Sequence, residues 1–186
     1  WQNQSIDGVF PLRRLLGCSH HKAVFLTEHK AKKLADAAIK LVRADALQAK
    51  ALLAQWSAAA QLAHPHLVRL FEMGRFRAGE HEFVFVVMEY AEQSLAQILR
   101  RRALSHEEVR ELLFPTLDAL TFLHRRHLIH GGLDPSNLLA VDDQLKLASD
   151  TLRPAGKDIG TADDVWSLGA TLVEALTQRR PSKSDP

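Results

Sequence analysis

Within eight residues the chain places His130, Asp134 and Asn137, with Gly131, Gly132 and Pro135 between them. A carboxylate at Asp134 can accept a proton, and Asn137 beside a carboxylate can ligate a metal ion. Asp150, just after Ser149, is a second carboxylate of this kind, and Lys40 closes an alternating stretch far upstream. Each also has a plain structural role. Asp134 can simply set up the turn at Pro135 and Ser136, which is the preferred reading, and a lysine ending a strand is ordinary. His124, His127 and His130 recur at three-residue spacing, but no cysteine or carboxylate stands at ligand spacing, so no zinc site is expected.

The loop needs neighbours to hold it. Val109–Leu123 is amphipathic, apolar at Leu112, Leu113, Leu117, Leu120 and Leu123, and predicts a helix before it. Leu145–Leu147 alternates and predicts a strand after it. Upstream, Val9–Leu16, Val24–Glu28 and Ala37–Val42 predict three strands. A helix over Ala46–Leu62 follows, apolar at Leu52, Leu53, Trp56 and Ala59. Leu67–Phe71 and Phe83–Met88 predict two more strands joined by a polar loop, Arg75–Glu82. Ser94–Arg102 and His106–His124 predict helices, the second opened by a Ser105/Glu108 capping box. The last helix, Ala162–Thr177, is apolar around most of its girth, as a surrounded helix would be.

The 186 residues, 46% hydrophobic, suffice for one well-cored unit of two lobes. A net charge of +2 is too mild for a nucleic-acid partner. The arginine clusters (Arg100–Arg102, Arg125–Arg126, Arg179–Arg180) sit at helix ends, where cations suit the dipole. A single cysteine, Cys18, excludes an internal disulfide framework and points to a reducing, cytoplasmic setting. No signal peptide is read at the start, and the longest apolar run, Phe83–Met88, has strand length, so no membrane span is expected. The first residue, Trp1, suggests a piece of something larger.

His130 to Asn137 resembles the catalytic loop of protein kinases, His-Arg-Asp-x-x-x-x-Asn. His130 matches the His and Asn137 the metal-binding Asn, while Gly131 stands for the Arg and Gly132 for the catalytic Asp. Other segments fall in family order. Gly17 to Val24 matches the Gly-rich loop with one glycine of three. Ala37-Ala38-Ile39-Lys40 resembles the strand ending in the phosphate-pairing lysine. Gln55 takes the place of the helix Glu that pairs with it. His64-Pro65 matches a family boundary, and Met88 to Ala91 the gatekeeper and hinge. Leu145 to Leu152 matches the metal-binding segment, with Ser149 for the Asp, Asp150 for the Phe and Thr151 for the Gly. Asp164-Val165-Trp166-Ser167-Leu168-Gly169 resembles the start of the large buried helix. The resemblance is to bacterial Ser/Thr kinases and runs about two-thirds of the way through their fold.

The resemblance implies an α+β, protein kinase-like fold: a small antiparallel β-sheet lobe with one helix over 1–90, and an incomplete, mainly helical lobe over 91–186. It implies that nucleotide, ATP or ADP without strong Mg²⁺ dependence, would meet Leu16, Gly17, Val24, Ala38, Lys40, Met88, Glu89, Ala91, Asn137 and Leu139. Asn137 and Asp150 are the weak metal candidates. With Gly132 and Ser149 at the base and metal positions, the expected function is a catalytically impaired binding or regulatory module, a pseudokinase. The alternative is a residual phosphotransferase using a displaced Asp134 or Asp150. The family's buried column matches Ala59, Leu70, His130 and Asp150; an ionisable residue there predicts that Asp150 points outward and the column stays unassembled. Missing cover over the last helix predicts an apolar face for a protein partner, a neighbouring domain or a second copy, rimmed by Arg179, Arg180 and Lys183.

Overall fold

Alternating side chains turn most of the first half of the chain into sheet, because the side-chain period of an extended chain is two. The computed structural model describes residues 4–19, 21–157 and 159–181. Lys183, named above, and one position of the Gly17–Val24 segment lie outside them. The chain divides into two units, Trp1–Leu62 with Arg69–Tyr90, and Ala63–Val68 with Ala91–Pro186.

In the first unit, β1 (Ser5–Ile6) and β2 (Phe10–Pro11) make a short antiparallel hairpin. They are followed by β3 (Leu15–Ser19), β4 (Lys22–His29), β5 (Leu34–Arg43), helix α1 (Ala46–Ala59), β6 (Leu70–Ala78) and β7 (His81–Glu89). The five long strands form one antiparallel sheet in the order β3-β4-β5-β7-β6. Phe25, Ala37, Ile39, Leu41, Phe85 and Val87 make one apolar cluster with Ile6, Phe10 and Leu12 of the N-terminal segment. By alternation Ala38 and Lys40 face the other way. Asp45 caps α1, accepting from the Leu47 and Gln48 N–H groups at 2.9 Å each. The helix buries Ala49, Trp56 and Ala59.

Three expectations shift here. The strand expected over Val9–Leu16 breaks after Pro11, where Leu12 is fully buried and its N–H bonds to Gln4 O, and pairing resumes at Leu15. The polar loop expected over Arg75–Glu82 is mostly strand. Ala78 pairs with His81, so Gly79 and Glu80 alone make the turn, with Gly79 at φ +59. The strand expected from Leu67 starts at Leu70, because Leu67 and Val68 pair with Leu147 in the second unit.

The second unit contains β8 (Gln93–Ser94), α2 (Leu95–Leu99), α3 (His106–His124), β9 (Leu128–Ile129), β10 (Leu138–Val141), β11 (Gln144–Leu147), β12 (Arg153–Pro154) and α4 (Thr161–Thr177). β10 pairs with β11 and β8, and β9 with β12. The capping box at Ser105 and Glu108 forms as the sequence predicts, and Arg102 grips the Glu108 carboxylate with two nitrogens at 2.6 and 2.8 Å. α2 is shorter than expected, capped by Ser94 and Gln97. α4 is only partly enclosed: Leu168, Ala170 and Ala175 are buried, while Val165, Trp166 and Val173 are 62%, 42% and 44% exposed.

Candidate functional site

The loop from His130 to Asn137 leaves β9 and ends in β10, and its shape is held from outside. Asp164, at the start of α4 and 1% exposed, accepts from the His130 N–H at 2.9 Å and from the Gly131 N–H at 3.0 Å. The same carboxylate meets His124 Nε2 at 2.8 Å. One carboxylate therefore ties the end of α3 and the first two loop residues to α4. Gly131 has φ +66, the left-handed region that favours glycine, and a Cβ there would collide with the Arg153 guanidinium. Arg153 Nη2 donates to Gly131 O at 2.9 Å, closing the loop from the side of β12.

Inside the loop the polar groups bind one another. Asp134 caps a short turn over Pro135–Asn137: its Oδ1 accepts from the Ser136 N–H at 2.7 Å and from the Ser136 hydroxyl. Its Oδ2 accepts from Asn137 Nδ2 at 3.3 Å. The same Asn137 amide donates to Gly132 O at 2.5 Å. Gly132 brings no side chain, and a Cβ there would lie 3.3 Å from Thr151 Cγ2, tight but not blocked. Asp134 is thus committed to the turn, the role its sequence position favoured.

His130 is completely buried. Burial pushes its imidazole below the ordinary pKa, while the charges of Asp164 and Asp150 and a hydrogen bond to the Ala148 backbone pull the other way. Ser149 is 2% exposed, and its hydroxyl has no hydrogen-bond partner among the described residues. Asp150 corrects an expectation: it does not point outward but is only 7% exposed. The turn at Asp150–Thr151 carries it inward, where its charge acts on the buried imidazole. That polar company makes burial of a carboxylate tolerable. Of the histidine trio, His124 is bound to Asp164 and His127 is exposed at φ +57. Among the described residues no group of three or more His, Cys, Asp or Glu side chains is placed to hold a metal ion.

The first unit's candidates fall on one sheet. Val24 pairs with Lys40, Lys40 with Val86, and Ala38 with Met88. Val24, Ala38, Lys40 and Met88 therefore share one face. Lys40 and Gln55 are both half-buried. Gly17 pairs with Val24 next to a β-bulge, and a Cβ there would meet open space. Leu16 is half-buried beside it. Glu89 Oε2 accepts from the Arg69 N–H at 2.9 Å. In the second unit, Ala91 is half-buried, and Leu139 lies in β10 opposite Lys146 and Ser94. The sequence reading missed the clamp by Asp164 and Arg153. Asp164 stood in a recognised motif, but its partners lie more than thirty residues away.

Comparison with known proteins bears on the family and the fold. A family model described as "Protein kinase domain" matches residues 13–150. The chain is 31% identical to cyclin-dependent kinase F-4 of Oryza sativa subsp. japonica, over 61% of this chain and 30% of that protein. It is 27% identical to an Aurora kinase of Schizosaccharomyces pombe, over 94% of this chain and 56% of the relative. A probable serine/threonine-protein kinase PknB of Bifidobacterium longum is 27% identical, over 80% of this chain and 27% of that protein. The chain thus spans between 27% and 56% of these relatives' lengths. Among solved structures, the kinase domain of Mycobacterium tuberculosis PknI superposes with a TM-score of 0.81 at 21% identity, over 100% of this chain and 79% of that one. At that identity the likeness concerns the fold alone.

Proposed function

The chain belongs to the protein kinase family, and on that premise we propose that it is a pseudokinase, a kinase-fold module that binds partners rather than transferring phosphate. One observation carries the reading. The loop position matching the family's catalytic Asp is Gly132, and the nearest loop carboxylate, Asp134, is occupied at both oxygens by Ser136 and Asn137. A base must reach the proton it abstracts, and a carboxylate capping a turn is held away from that task. Kinase chemistry also calls for Mg²⁺. A hard divalent cation takes carboxylate oxygens, and here the matching positions offer the Asn137 amide and the Ser149 hydroxyl, with Asp150 buried beside His130. These residues do not fit the ion, and no step is routed through it.

Nucleotide binding is a separate property and survives the loss of the base. Leu16, Gly17, Val24, Ala38, Lys40, Met88 and Glu89 in the first unit, with Ala91, Asn137 and Leu139 in the second, are the residues proposed to take ATP or ADP. The partner surface is the apolar stripe of α4, Val165, Trp166 and Val173, with Arg179 and Arg180 exposed at its end. A cytoplasmic setting belongs to the same reading; among the described residues no helix is long and apolar enough to cross a membrane. A thermal-shift titration with ATP, with and without Mg²⁺, tests the nucleotide half. Weak stabilisation indifferent to Mg²⁺ is expected. Binding strengthened about tenfold by Mg²⁺, about 1.4 kcal/mol, would show a working metal site and contradict the reading.

A further inference from the structure

The sheet of the first unit has a second concavity, on the face opposite Lys40. It has a volume of about 520 Å³, within the range of small-molecule sites, roughly 300–1,000 Å³. Its floor is Leu15, Ala23, Phe25, Leu41 and Phe83. Phe25 and Leu41 belong to the same apolar cluster as Phe10, with Ala23 packed against it, which fixes the face. The N-terminal segment covers that cluster with Ile6, Phe10 and Leu12. Towards the β3–β4 turn apolar surface is left open, and Leu15 is 44% exposed.

The rim carries one fixed charge on this face, Arg43, with His21 and His81 beside it and Lys22 at its edge; among the described residues no carboxylate lines it. Of the acidic residues nearest in sequence, Glu80 sits exposed in the β6–β7 turn and does not line the cavity. Glu82 lies one residue from both His81 and Phe83, so it faces the other side of β7, and it pairs with Arg75 at 3.8 Å. Asp45 caps α1. An apolar, partly aromatic floor under a cationic rim is complementary to a molecule with a flat apolar body and an acidic head. We propose that this cavity is a binding site for small amphipathic organic anions, compounds joining an aromatic or aliphatic body to one carboxylate, sulfonate or phosphate. The ring stacks against Phe25 and Phe83, and the head lies at Arg43, which pairs with Phe83 on the same face. The proposal stands independently of the loop and of the pseudokinase reading.

The chain supplies its own reporter. Cys18, its single cysteine, lines the cavity and is a free, exposed thiol. The test titrates the whole chain with 8-anilinonaphthalene-1-sulfonate by fluorescence while following alkylation of Cys18 by N-ethylmaleimide. Saturating dye is expected to slow alkylation severalfold. Arg43→Glu should weaken the dye about tenfold, what one charge-assisted contact of about 1.5 kcal/mol supplies. Arg43 is exposed, so the variant should keep the wild-type circular dichroism. Phe114→Glu, at a 74% exposed position on α3 of the second unit, should leave the protection of Cys18 intact. Unchanged alkylation at dye saturation would overturn the location. Equal protection by uncharged N-phenyl-1-naphthylamine, or undiminished affinity in the charge-reversed variant, would overturn the requirement for an anion.

Discussion

A buried carboxylate that accepts from two backbone N–H groups and an imidazole is costly to remove, because each donor it leaves behind is cut off from water. Asp164 is in that position. Asp164→Ala should lower the stability of the second unit by about 3–5 kcal/mol, read from urea denaturation, with Asp164→Asn costing less because its amide oxygen still accepts. A loss under about 1 kcal/mol would mean that the loop holds its own shape. His130 gives a pH effect of definite sign. Burial lowers its pKa in the folded chain from the ordinary 6.5, so below about pH 6.5 the unfolded chain binds the additional proton. Stability from this group is therefore complete above that value and is lost as the pH falls through the window beneath it. His64, also lowered, adds a slope of the same sign. Melting temperature between about pH 7.5 and 5.5 should fall further in the wild type than in His130→Gln; parallel curves would contradict the assignment. At this scale the resemblance pointed to Gly132 and Ser149 as the changed positions, but not to what holds the rest. Asp150 shows the limit: a charge suggested exposure, and only the fold reveals the imidazole beside it.

Elements were legible where their signals are local. The period and cap of α3 lie within its own residues, and its bounds agree with the reading from Ser105 onward. The β6–β7 hairpin was not, because Arg75, Arg77 and Glu82 made two strand arms look like a polar loop; the sign missed was the two-residue turn at Gly79. Leu67 and Val68 misled for another reason: they pair with Leu147, a partner set by tertiary structure rather than by pattern. α4 was read as apolar around most of its girth, and its outer side does keep Trp166 and Val173, seven residues and about two turns apart, exposed. Such a stripe drives association, so light scattering on the chain should show species larger than the monomer. Trp166→Glu should shift them towards monomer at only a modest cost in melting temperature, since Trp166 is 42% exposed. A strictly monomeric wild type would mean that this stripe does not self-associate.

For the whole molecule, the proposed reading separates fold from chemistry. The sheet, the long helices and the loop framework need only apolar periodicity, caps and the Asp164 clamp, all of which this chain has. Phosphate transfer needs a base and a metal ligand at fixed places, and general-base catalysis alone contributes about 10²–10⁴-fold. A chain can keep the first set without the second, which is why family membership was legible from motif order even though no motif is intact. The most direct measurement incubates the purified chain with radiolabelled ATP, Mg²⁺ or Mn²⁺, and a generic protein substrate. It is repeated for Asp134→Ala and Asp150→Ala. The expected result is no label on the chain or the substrate above a no-enzyme blank, in all three proteins alike. Label transferred by the wild type and abolished in either variant would show a displaced carboxylate acting as base, and the chain would have to be read as an active kinase.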